Sequence, residues 1–283
     1  MIGPRAIVPR DLDDAVARLA ERDAGVRIVA GGTDVMVEVQ AGTFRGTALL
    51  DLWKIEGLRG IRRENGILSI GALETYTDLQ RDPLVRAHLP SLVAASATIG
   101  GIQIQNRGTI GGNLANASPA GDTLPVLLAL DAEVECASKA GRRRIPVRDF
   151  FTGYRKTALA PEEILTRVLV PVPVEERLLF RKIGTRAAQA ISKVVLSASI
   201  RLRGRAIERI RIGAGSVAPV PVRLRRTEGI LEGRALEPAL VERAAAAAAA
   251  EVRPIDDVRS TETYRRRVTG NVVRRWLLEI LAA

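Results

Sequence analysis

Apolar residues near the start of the chain fall into two periods. Leu12, Ala15, Val16 and Leu19 recur along one helix face and Asp11 precedes them as a suitable N-cap, so RDLDDAVARLAER is predicted to open the fold as a helix. Residues 26–30 (VRIVA) and 47–52 (TALLDL) are short β-like runs, largely apolar, of the kind that form buried strands. Strand, helix and strand at this spacing predict a small α/β unit.

The period then changes. From Leu58 to Gly71 the text alternates as short strands, with ENG as a hairpin turn between two of them. PLVRAHLPSLVAASATIGG reads as helices stopped by paired glycines. AEVECAS is a strand, RRIPVRDFF leads into the loop TGYRKTALAPEE, and EILTRVLVPVP is a further strand closed by prolines. Beyond Pro173, ISKVVLSASIRLRGRAIERIRIGAGSV predicts a long hairpin turning at RGR. Helices follow: ALVERAAAAAAAEV is almost pure helix former, and Val268, Val272, Trp276 and Ile280 make one stripe suited to core packing. These shifts predict a first domain over 1–174, divided at about 56/57, and a second over 175–283.

Composition narrows the chemistry. The net charge of +11 raises the question of nucleic acid, but the arginines are scattered, often beside acids, and aromatic residues are only 3% of the chain. A basic surface suits an acidic protein partner equally well. No apolar run approaches the ~20 residues of a membrane span, and the N-terminus lacks a signal-peptide pattern, so a cytoplasmic protein is expected. One cysteine, Cys136, and one histidine, His88, leave no basis for a disulfide, a zinc site, an iron–sulfur cluster or a well-supported catalytic triad. Chemistry in such a chain is borrowed from a cofactor.

Two segments carry adjacent glycines followed by small polar residues. IVAGGTDV (28–35) follows a predicted strand, and TIGGN (109–113) continues through ASPAGD to Asp122. Paired glycines permit positive φ and let consecutive amides converge on an anion. Neither segment fits G-x-G-x-x-G, and no G-x-x-x-x-G-K-[ST] loop is present. Spacing alone leaves both a pair of turns and a nucleotide site open.

Longer stretches carry a resemblance. TIGGNLANASPAGDTLPVLLALDAEVE, DFFTGYRKTALAPEEILTRVLVPVP, AGGTD and the tail YRRRVTGNVVRRWL together resemble, in order and over essentially the whole chain, the FAD-binding subunits of molybdenum hydroxylases, the family of xanthine dehydrogenase and aerobic carbon monoxide dehydrogenase. The resemblance implies an α+β architecture: a vanillyl-alcohol-oxidase-type FAD-binding fold of two subdomains, plus a C-terminal domain of antiparallel sheet and helices. It implies that Ile28, Val29, Ala30, Gly31, Gly32, Thr33, Asp34 and Val35 wrap the FAD pyrophosphate. Thr109, Ile110, Gly111, Gly112 and Asn113 are implied to do the same from the opposite side, with Ser118 and Asp122 as polar contacts. Ile99 and Leu165 match apolar contacts, and Lys182 matches a lysine near the flavin, where a cation favours the anionic reduced form. Tyr154 and Arg155 are weaker candidates for the flavin surroundings or an interface.

The position of Asp34 varies among relatives. The extra iron–sulfur insert of hydroxybenzoyl-CoA reductases is excluded by the single cysteine, and no histidine near either loop offers a covalent flavin link. The implied function is an oxidoreductase subunit with non-covalent FAD. Its partners are a large molybdopterin subunit and a small [2Fe–2S] subunit, and electrons leave to NAD, oxygen or quinone. The alternatives are a stand-alone FAD oxidoreductase of the same fold, a flavoprotein of another pathway, and a basic nucleic-acid-binding protein.

Overall fold

The computed structural model describes residues 4–22, 25–186 and 189–283. Three hydrophobic cores organise it. The first lies under a parallel three-stranded sheet of order β1-β3-β2, formed by β1 (Arg5–Ile7), β2 (Val26–Val29) and β3 (Ala48–Asp51). Helix α1 (Leu12–Ala20) buries Ala15, Val16 and Leu19 against it, and the Asp11 side chain caps the helix by accepting from the amide of Asp14 at 2.8 Å. Between the second and third strands, α2 (Val35–Gln40) leaves Met36 and Val37 exposed.

The second core lies on an antiparallel five-stranded sheet. Its order is β4-β5-β10-β6-β7, from β4 (Ile61–Glu64), β5 (Ile67–Gly71), β6 (Glu133–Ser138), β7 (Gly141–Pro146) and β10 (Ile164–Pro171). Asn65 and Gly66 join the first pair with φ of 51° and 76°, both positive as a tight two-residue hairpin requires. The helices read from PLVRAHLPSLVAASATIGG are α4 (Pro83–His88) and α5 (Pro90–Ala97), and they follow α3 (Tyr76–Arg81), which begins in a Thr75/Asp78 capping box. Then come α6 (Ile102–Gln105), α7 (Ile110–Asn116) and α8 (Leu124–Ala129). Leu79, Leu92, Leu114 and Leu127 join Ile70, Val134 and Val168 in this core. RRIPVRDFF contains α9 (Val147–Phe150), and the segment read as a loop after it holds a small hairpin, β8 (Phe151–Gly153) with β9 (Lys156–Thr157).

The C-terminal domain carries the long hairpin, β12 (Val194–Arg203) and β13 (Ala206–Gly215), flanked by β11 (Glu176–Ile183) and β14 (Val222–Arg223). Helices α10 (Arg225–Leu231), α11 (Pro238–Glu251) and α12 (Glu262–Leu281) cover one face, and β15 (Arg234–Ala235) pairs with the hairpin edge. Val272 and Trp276 are buried in this third core, with Val268 and Ile280 partly buried against it, as the stripe predicts. The bare backbone of Gly270 lets α12 close on α11: a Cβ there would lie 2.7 Å from the Ala245 carbonyl oxygen. This arrangement is the α+β one expected: two subdomains and a sheet-and-helix domain. Among the described residues, no helix is long and apolar enough to cross a membrane.

The other face of the hairpin packs on α8. A Cβ on Gly213 would stand 2.0 Å from the Pro125 carbonyl oxygen, and one on Gly215 2.9 Å from the Pro125 ring. Beside this contact, Asp131 accepts from Arg211 at 2.6 Å and from Arg223 at 2.7 Å, binding the C-terminal sheet to the end of α8. Gly213→Val must push two backbones apart, so it is expected to cost about 3 kcal/mol or more. A lower midpoint in urea unfolding checks this, and an unchanged midpoint contradicts it.

Candidate functional site

The first glycine segment leaves β2 and turns back against the chain ahead of α7. Gly31 must lack a side chain there, because its Cβ would lie 1.7 Å from the Arg107 carbonyl oxygen. Arg107 holds the contact: its Nε donates to the Gly31 oxygen at 3.3 Å, and its guanidinium lies 3.6 Å from the ring centre of Trp53. Gly32 follows at φ +80°. The carbonyls of Gly32 and Asp34 accept from residues of α2, whereas the amides of Gly31, Gly32, Thr33 and Asp34 have no partner among the described residues. Successive unpaired amides around a positive-φ glycine form a concavity suited to an anion.

The second segment is built differently. Thr109 caps α7, so TIGGN is the first turn of a helix rather than a loop. Its amides are spent inside the protein. Ile110 donates to the Glu74 oxygen at 3.0 Å, Gly111 to the Ala72 oxygen at 2.9 Å, and Asn113 to the Thr109 oxygen at 3.0 Å. Gly112 donates to Thr109 Oγ1 at 3.0 Å. This corrects the expectation of two equivalent amide loops. The glycines serve close approach, since a Cβ on Gly111 would sit 2.7 Å from Ala72.

Between the segments runs a cleft with two lobes. A cavity of about 200 Å³ is lined by Ile28, Ala30, Gly31, Gly32, Thr33, Asp34 and Val35 on one side and by Thr109, Gly111, Gly112 and Asn113 on the other, with Leu52, Leu73 and Leu165 among its apolar walls. A larger cavity of about 690 Å³ is lined by Ile99, Ser118, Asp122, Tyr154, Arg155 and Lys182, and by Ser192, Ser216, Ile255 and Arg265 of the C-terminal domain. Thr33, Asp34, Tyr76, Asn113 and Asn116 border both. Two expected contacts lie elsewhere. Val29 is buried in β2, and Ile110 is fully buried in the second core, because strand alternation and the helix face turn them inward.

The polar centre of the larger lobe is an ion pair. Lys182 Nζ lies 2.6 Å from Asp122 Oδ2 and donates to the Thr98 oxygen at 2.8 Å, while Ser192 Oγ donates to the other Asp122 oxygen. Both charged side chains are nearly enclosed, at 10% and 7% exposure. Burial raises the Asp122 carboxyl above its ordinary range, against the opposing pull of Lys182 and Ser192. The carboxylate and the cation that the resemblance suggested separately therefore stand here as one ion pair. Tyr76 is buried between the lobes; burial raises its phenol, and the carboxylates of Asp34 and Asp122 add to the effect. At the rim, Arg155 donates to Asn116 Oδ1 at 3.0 Å and Tyr154 is 64% exposed.

Sequence reasoning missed Tyr76, Ser192, Ser216 and Arg265. The Thr75/Asp78 capping box could have located the helix that carries Tyr76. The other three come from chain segments far apart, with no local signal joining them.

The donor set fits a dinucleotide flavin: free amides for a pyrophosphate beside apolar walls in the narrow lobe, and a lining of mixed polar and apolar side chains in the wide one. The comparisons agree. Residues 3–173 match the family described as the FAD binding domain in molybdopterin dehydrogenase, and residues 180–280 match the CO dehydrogenase flavoprotein C-terminal domain. The carbon monoxide dehydrogenase medium chain of Hydrogenophaga pseudoflava is 32% identical, over 98% of this chain and 97% of its own. The xanthine dehydrogenase FAD-binding subunit of Escherichia coli O157:H7 is 31% identical, over 96% and 94%.

Among solved structures, a Hydrogenophaga pseudoflava carbon monoxide dehydrogenase lacking the Mo-pyranopterin moiety of its cofactor superimposes with a TM-score of 0.95, at 31% identity over 100% of this chain and 99% of that one. Quinoline 2-oxidoreductase of Pseudomonas putida 86 gives 0.92 at 27% identity, over 99% and 98%. This chain belongs to the family of FAD-binding oxidoreductase subunits of the molybdenum hydroxylases, with FAD as its cofactor.

Proposed function

We propose that the chain is the electron-delivering subunit of a cytoplasmic complex, beside a large molybdenum-cofactor subunit and a small [2Fe–2S] subunit. The observation that carries the binding mode is the run of unpaired amides from Gly31 to Asp34 at the narrow end of a two-lobed cleft. FAD bound there supplies redox chemistry that links one-electron iron–sulfur donors to an acceptor such as NAD, oxygen or quinone.

The chain's own residues bind, orient and shield. The free amides and Thr33 hold the pyrophosphate, Leu52, Leu73 and Leu165 exclude water from the narrow lobe, and the Asp122–Lys182–Ser192 cluster fixes the polar wall of the wide one. No general base is required of this chain. The relatives' names range from carbon monoxide to nicotinate and quinoline, which supports substrate recognition on another subunit.

Purification of the tagged chain from its native host tests the assignment. Two further chains, with molybdenum and iron, are expected to co-purify. A lone FAD protein that turns over a substrate unaided would instead support the stand-alone oxidoreductase.

The ion pair gives a second test. Lys182→Met leaves the Asp122 carboxylate uncompensated beside the cofactor, so the midpoint potential of bound FAD is expected to fall, on the order of 30 mV for each 1.4 kcal/mol of lost stabilisation. The fall should fade towards acid pH, because burial already raises the Asp122 carboxyl and its protonation removes the charge. Potentiometric titration at several pH values checks this, and a potential independent of the substitution rejects it.

A further inference from the structure

The C-terminal domain contributes a residue that neither the fold nor the glycine segments require. Ser216 follows the last residue of β13 and borders the larger cavity. Its φ is +62°, a left-handed conformation that serine seldom adopts. Three contacts confine it there. Its amide donates to the Pro119 oxygen at 2.8 Å, its carbonyl accepts from Arg265 at 2.7 Å, and Arg265 is in turn tied to Asp257 at 2.7 Å. Arg265 is itself 4% exposed and reaches Ser216 from α12.

The Ser216 hydroxyl is nevertheless unsatisfied. The residue is 6% exposed, and Oγ is buried with no hydrogen-bond partner among the described residues. Arg265 Nε, on the same wall, is also buried without a partner among the described residues. A strained backbone holding an unpaired buried hydroxyl is disfavoured twice over within the protein's own contacts. Such features accumulate where a ligand completes the structure. Both orphan groups can donate, so the matching ligand atom is an acceptor oxygen or nitrogen.

We propose, on the basis that FAD occupies this cleft, that Ser216 is a cofactor-contacting residue whose hydroxyl donates a hydrogen bond to an acceptor atom of the part of FAD lodged in the larger cavity. The C-terminal domain then does more than buttress the FAD domain: it closes the site with a polar contact, and α12 holds that contact through Arg265. The YRRR stretch of the closing helix thereby acquires a role at the cofactor.

The test uses the full-length chain, stripped of FAD and titrated back with FAD, comparing Ser216→Ala and Ser216→Gly with the unsubstituted protein. Loss of the hydroxyl is expected to weaken FAD binding about tenfold, as for one hydrogen bond, and to change the visible absorption of the bound flavin. Glycine accepts positive φ freely, so the FAD-free Ser216→Gly chain should melt no lower than the unsubstituted one. Weaker FAD binding without loss of FAD-free stability is a combination that a purely structural serine does not produce. Unchanged affinity and absorption in both variants would overturn the assignment, as would a fall in FAD-free stability that accounts for the whole loss of affinity. An unsubstituted, folded chain that takes up no FAD would instead remove the flavin reading itself, and the Ser216 contact with it.

Discussion

Gly31→Ala is expected to yield a folded protein that no longer retains FAD. The new methyl would lie 1.7 Å from the Arg107 carbonyl oxygen, a backbone atom in the turn that leads into α7. Neither side of that contact is a flexible side-chain end, so the loop itself must move. The amides of Gly31 to Asp34 move with it, away from the positions in which they converge. Losing two charge-assisted bonds of about 1.5–3 kcal/mol each corresponds to a Kd raised at least about 100-fold. Gly57→Ala is the control, since among the described residues no atom beyond its chain neighbours lies within 4 Å of its added methyl. Flavin fluorescence titration measures both variants. Unchanged affinity in the Gly31→Ala variant would show that the first loop does not hold the cofactor.

The second large effect concerns stability rather than affinity. Asp122→Ala leaves the Lys182 ammonium enclosed with the Thr98 oxygen but without its counter-charge. Removing one member of a buried pair costs about 3–5 kcal/mol, because the remaining charge loses both water and partner. The pair itself is worth far less, so the double variant Asp122→Leu/Lys182→Met should recover most of that loss. Urea unfolding of the FAD-free chains reads both numbers from the midpoint, provided the slope is unchanged. A single variant as stable as the parent, or a double variant no better than the single, would refute this account of the cluster.

Legibility in the sequence followed the range of the forces involved. The Asp11 cap, the Asn65–Gly66 turn, the β12–β13 hairpin and the Trp276 stripe are local patterns, and each was readable from a few neighbouring residues. The segment at Thr109 was not, because small residues and paired glycines signal a loop, while contact with Ala72 and the Thr109 cap make it helical. The cleft is harder still. Asp122 meets Lys182 across 60 positions and Ser192 across 70, and Ser216 meets Arg265 across 49. Such pairs depend on domain packing through Gly213 and α8, which no window of sequence contains. Family resemblance supplied Asp122, Lys182, Ile99 and Leu165, and all four border the cleft; it offered no hint of Tyr76, Ser216 or Arg265.

The central claim is that this chain by itself forms the flavin site. The most direct measurement is the FAD content of the purified, folded chain, read from its visible absorption and from the flavin released by acid precipitation. One FAD per chain, fully released and therefore non-covalent, is the expected result. A folded, colourless chain that takes up no added FAD would contradict it.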